Sequence, residues 1–106
     1  MRDRETGENK MIKQSETHIV KTNKKPAGSV KYYKGSQESA IEAAVRYSAF
    51  TNSPCYIMAS SAGFVIGGVE PKGLQKYEIY LRITAEYSNK EYTVTCDTIE
   101  VDKWNA

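Results

Sequence analysis

The sequence predicts an α+β fold, a mainly antiparallel sheet of five to six strands with one helix at about 37–51 on one face, in the order β-β-α-β-β-β-β. Three observations carry that prediction. Only one segment, 37–51, spaces its apolar residues at a helical period. The stretch from Tyr77 to Tyr87 alternates apolar and polar residues without a break. The remaining apolar runs are short and end in Gly, Pro, Asn or Ser. At 106 residues the chain has the size of one ordinary domain, and 40% hydrophobic against 26% charged residues is the balance of a chain that folds.

Residues 1–10 hold Arg2, Arg4 and Lys10 against Asp3, Glu5 and Glu8, with no aliphatic residue after the first methionine. They read as a solvated tail or an upstream extension, with Met11 as an alternative start and 11–106 as a single α+β domain. Thr17 to Thr22 is a short β-branched run, Asn23-Lys24-Lys25-Pro26-Ala27-Gly28 supplies turn chemistry, and Ser29 to Tyr33 is a second run. The pair reads as a hairpin with a loop of about six residues.

Ser36 is placed to cap a helix beginning at Gln37. Ile41, Ala44, Val45 and Ser48 fall on one stripe, with Glu38, Glu42 and Arg46 off it. Asn52 and Pro54 stop the helix near Thr51. Its length, about 22 Å at 1.5 Å per residue, and its alanines at 40, 43, 44 and 49 suit close packing on a sheet.

Cys55–Ser60 and Phe64–Val69 read as a hairpin of central strands joined through Ser61-Ala62-Gly63. In the following hairpin, Ser88-Asn89-Lys90-Glu91 makes the turn, and pairing Tyr87 with Tyr92 sets Ala85 opposite Val94 and Ile83 opposite Cys96 on the buried side. Tyr92, Val94 and Cys96 are even positions whereas Ile99 and Val101 are odd, which predicts a bulge or bend near Asp97-Thr98.

Few of the chemistry-bearing residues gather. His18, Cys55 and Cys96 are the only soft metal ligands and are scattered, so no metal and no cofactor is expected. Both cysteines fall on inward strand faces and read as small buried hydrophobes. General acid–base work most often uses histidine, and the single one sits in a polar strand. Glu78 with Glu86, or Glu100 with Asp102, share a strand face, but such spacing is ordinary on a solvated sheet. Gly63 to Gly68 has the glycines of a phosphate loop, with Val69 where the lysine belongs. The chain is accordingly read as non-enzymatic.

The net charge of +2 averages three unlike parts: 0 over residues 1–10, +5 over 11–34 and −3 over 35–106. Lys21, Lys24, Lys25, Lys31 and Lys34 with Tyr32 would form a basic hairpin able to pair phosphates and stack bases, a nucleic-acid-binding alternative. Tyrosine occurs eight times. Tyr77, Tyr87 and Tyr92 are expected at the core margin, and Tyr33 and Tyr80 in solvent. Tyr80 with Glu78, Arg82 and Thr93 would make a flat mixed contact surface, joined by Tyr33. One helix covers only two or three strands at 4.8 Å spacing, so part of the sheet face or an edge should stay bare for a protein partner or a second copy.

The resulting expectation is a small binding protein that occludes or modulates a protein partner, in the manner of inhibitors of host machinery carried by phages and mobile elements. No uninterrupted apolar span and no apolar signal core is present in the sequence, and a cytoplasmic setting without membrane contact is expected.

Overall fold

The computed structural model describes residues 8–28, 31–60, 63–70 and 78–103. They form β1 (Glu8–Lys21), β2 (Lys31–Tyr33), α1 (Gln37–Thr51), β3 (Cys55–Ser60), β4 (Gly63–Gly67), β5 (Glu78–Ser88) and β6 (Glu91–Lys103). All strand pairs are antiparallel, and the sheet runs β1-β6-β5-β3-β4-β2. The α+β class, the single helix and the order of elements agree with the sequence reading.

The helix begins and ends where its local chemistry dictates. Ser36 is extended (φ −77°, ψ 157°), and its hydroxyl accepts the Ser39 amide at 3.1 Å. Asn52 takes the left-handed conformation (φ 59°) and its N–H returns to the Ser48 carbonyl. The buried stripe is Ala40, Ala44, Val45 and Ser48, and these small side chains let α1 lie close over β5, β3 and β4. There it meets Cys55, Ile57, Ile66, Ile83, Ala85, Tyr92 and Val94, the main core.

Ser48 sits in that core as a polar tie. Its hydroxyl donates to the Ser53 carbonyl at 2.7 Å and accepts the Ala85 amide at 3.0 Å. One side chain thus fixes both the chain reversal after α1 and the position of α1 on β5.

The β5–β6 hairpin has the expected register. Tyr87 faces Tyr92, Ala85 faces Val94 and Ile83 faces Cys96. Asn89 and Lys90 both have positive φ (52° and 61°), the backbone of a two-residue turn whose twist matches its strands.

Three expectations are overturned. The hairpin joining the first two strands does not form: β1 pairs with β6 and β2 with β4, at opposite edges of the sheet. The intervening segment is held on the helix instead. Arg46 Nε donates to the Lys25 carbonyl at 2.8 Å, the Ala27 amide donates to the Arg46 carbonyl at 3.2 Å, and the Tyr92 hydroxyl donates to the Lys24 carbonyl at 2.6 Å. Gly28 has φ +140° and an added Cβ would lie 3.3 Å from Tyr47 Cβ, so the crossing needs glycine.

Second, β1 is longer than Thr17–Thr22. It starts at Glu8, so residues 8–10 of the expected tail are strand.

Third, β6 has no bulge at Asp97-Thr98, since its register with β5 is continuous from Glu91 to Val101. Ile99 and Val101 simply occupy the sheet face opposite α1, where they bury against Tyr80 beside Tyr56 and Met58. The irregularity belongs to the neighbouring strand, where Lys13 is extra between Ile12 (facing Ile99) and Gln14 (facing Thr98).

Ser48→Ala should destabilise the fold by about 1–3 kcal/mol, because it strands the buried Ala85 amide. Urea unfolding of the variant against the wild type measures this, and an unchanged midpoint would contradict the assigned role.

Candidate functional site

The expected contact surface around Tyr80 is not a surface. Alternation on β5 and β6 places Tyr80 and Arg82 on the face away from α1, but Tyr80 is only 1% exposed. Its ring packs on Tyr56 (centroids 6.0 Å apart) and on Ile99 and Val101. Its hydroxyl donates to the Glu70 carboxylate, which Lys10 also approaches at 3.2 Å.

Arg82 is likewise engaged. Its Nε and Nη2 both donate to Asp97 Oδ2, at 3.1 and 2.9 Å, while the Ser15 hydroxyl donates to Asp97 Oδ1 at 2.6 Å. Thr93 is exposed, and the side chains of Glu78 and Tyr33 lie outside the described ones. Tyr77 also lies outside the described residues.

This network sets the titration of its acids. The Ser15 hydrogen bond, helped by Arg82 and opposed by burial, holds Asp97 below the usual carboxylate range. Burial raises Glu70, but hydrogen bonds from Tyr80 and Lys10 and the charges of Lys10 and Arg82 outweigh it, so Glu70 is also lowered. Burial, then Glu70, push the Tyr80 hydroxyl up.

The basic hairpin dissolves in the same way. Lys31 and Lys34 follow the chain to the β2 edge, while Lys21, Lys24 and Lys25 are at or beyond the end of β1, on the other side of the sheet. Lys13 pairs with Glu100 (3.3 Å), Lys21 with Glu91 (3.8 Å) and Lys24 with Glu42. The side chains of Lys31 and Tyr32 lie outside the described ones.

The bare sheet surface expected from one helix is present, at β1. Every described residue from Lys10 to Lys21 is exposed, including Met11 (56%), Ile12 (53%), Ile19 (60%) and Val20 (37%). On the helix-bearing face a cleft of about 250 Å³ separates β1 from α1. His18 and Val20 form one wall, Ile41 and Val45 the other, with Tyr92 between and Glu38 at the rim. No sequence feature singled out this cleft between β1 and α1, because it depends on β1 crossing to β6.

Comparisons of the chain with models of protein families, with curated proteins and with solved structures found no match. The surface must therefore be read from its own chemistry. Among the described residues no group of three or more His, Cys, Asp or Glu side chains could hold a metal ion, and no helix is long and apolar enough to cross a membrane. Both cysteines are free; burial pushes the Cys55 thiol up to about 11, and burial followed by Glu16 and Asp97 raises Cys96.

Two measurements check this electrostatic picture. Since Asp97 is lowered in the fold, the unfolded chain takes up more protons on acidification. The stabilisation is therefore complete above the ordinary Asp value of about 3.9 and is lost as pH falls below it. Asp97→Asn should flatten the decline of the urea midpoint between pH 6 and pH 3, and an unaltered slope would count against the network. Cys55 should resist a disulfide reagent at pH 8 in native protein and react on unfolding.

Proposed function

We propose that the protein is a non-catalytic binding protein that engages a protein partner through the helix-bearing side of β1 and the cleft between β1 and α1, and acts by occluding or modulating that partner. One observation carries this reading: β1 is exposed along all its described side chains, from Lys10 to Lys21, and its Val20, beside His18, lines a cleft whose other apolar walls are Ile41 and Val45 of the helix and Tyr92. A contiguous apolar patch edged by charge is the usual anatomy of a protein contact. Glu38, Glu42, Lys24 and Arg46 supply that edge here.

The nucleic-acid alternative has less support. A phosphate-binding patch needs clustered, uncompensated cations, whereas Lys13, Lys21 and Lys24 each have a carboxylate partner and Lys31 and Lys34 belong to the far edge.

A photo-crosslinking residue in place of Glu38, at the rim of the cleft, should give one adduct with a different protein when the chain is expressed in its source cell. The same probe in place of the exposed Glu86, on the other face, should not. Equal capture from both positions, or none from either, contradicts the assignment.

A further inference from the structure

We infer that two copies of the chain pair β1 with β1 in antiparallel register centred on Thr17, and that the second copy completes the cleft between β1 and α1. The pairing stands on the geometry of the edge; the role of the completed cleft rests on the binding function proposed above.

The direction of the edge amides comes first. The Thr22 amide donates to the Lys90 carbonyl at 2.9 Å, extending the ladder in which Lys21 faces Glu91. Amide direction alternates along an antiparallel strand, so the amides of His18 and Val20 point to β6. Those of Ser15, Thr17, Ile19 and Lys21 point away from the sheet. Among the described residues β1 ends the strand order, which leaves that row open to another strand. The Lys13 bulge interrupts the row, and residues 14–21 beyond it are regular, with neither Pro nor Gly.

Charge then selects the register. Centred on Thr17, Ser15 of one copy faces Ile19 of the other and Thr17 faces Thr17, giving about six N–H···O bonds. Between them, Glu16 of each copy lies opposite His18 of the other, and Gln14 lies opposite Val20. Moving the centre by one residue sets Glu16 against Glu16, or His18 against His18. Lysines often guard an edge strand, but Lys13 and Lys21 are tied to Glu100 and Glu91 of their own chain.

A two-fold axis relating paired antiparallel strands is normal to the sheet, so both α1 helices stand on the same face. They flank a floor of β6-β1-β1-β6, about 14 Å from one β6 to the other at 4.8 Å per strand. Gln14 of the second copy then adjoins Val20 and adds a wall to the cleft. Each binding surface is thereby built from two chains.

Light scattering or sedimentation equilibrium of the purified full chain should give twice 11.9 kDa, falling toward 11.9 kDa on dilution. Thr17→Pro removes an outward amide and leaves the β6 ladder intact, so it should be monomeric with an unchanged circular dichroism spectrum. His18→Glu should weaken the dimer by about tenfold or more, and adding Glu16→His should restore it. A monomer at every concentration, a dimer that survives Thr17→Pro, or failure of the double variant to recover overturns the pairing. If the chain is monomeric while the probe at position 38 still captures a protein, the pairing is wrong and the binding reading stands. A dimer whose probe captures nothing supports the pairing and overturns the binding reading.

Discussion

One helix has to cover a sheet wider than itself, and most of the molecule follows from that mismatch. A helix is about 10 Å across and strands lie about 4.8 Å apart, so α1 can shield two or three of six strands. Its small stripe, Ala40, Ala44 and Ser48, settles over β5 and β3, where Cys55, Ile57, Ile83 and Ala85 are buried. Farther out the sheet must shield itself by other means. On the opposite face Tyr80, Ile99 and Val101 gather into a second cluster under the Glu70 carboxylate. Neither device covers β1, whose described side chains from Lys10 to Lys21 stay in solvent.

The second cluster explains why the polar residues of β5 do not form the expected contact surface. Arg82 and Asp97 look like dressing for a wet face, yet the pairing of Tyr87 with Tyr92, legible in the sequence, sets Arg82 opposite Asp97 and Tyr80 opposite Ile99 once β6 runs without the expected bulge at Asp97-Thr98. An ion pair and an aromatic–aliphatic pair were therefore implicit in a register that local chemistry determines. What the register alone does not contain is Ser15, which arrives from β1, and Glu70, which arrives from beyond β4. Those two tie the polar side chains of the patch to one another, so that they form an internal network rather than a free contact surface.

The division between legible and illegible features is one of sequence distance. Ser36, Asn52 and the Asn89-Lys90 turn act within a few residues of themselves, so α1 and the β5–β6 hairpin could be bounded almost to the residue. The fate of β1 depends on contacts about eighty positions away, such as Ser15 with Asp97. Adjacent strands usually pair, and the expected β1–β2 hairpin follows that rule. Here a fourteen-residue strand has only a three-residue neighbour, while β6 offers thirteen residues and an alternating face. The longer ladder wins, and the short segment after it is held by Arg46 on the helix. The candidate cleft inherits this dependence, since one of its walls is β1.

An exposed edge strand must either be guarded or be used. Guarding requires charges free to repel an incoming strand, or a bulge placed where pairing would begin. On β1 the bulge lies at Lys13, toward one end, and leaves eight regular residues, Gln14 to Lys21, beyond it. The lysines that could repel have carboxylate partners within their own chain. Ile19 and Val20, on opposite faces of that regular segment, gain nothing from solvent. A chain selected only to stay apart would carry its bulge or a proline near Thr17, whereas this one keeps that position regular and flanks it with Glu16 and His18, which complement each other when the strand meets itself.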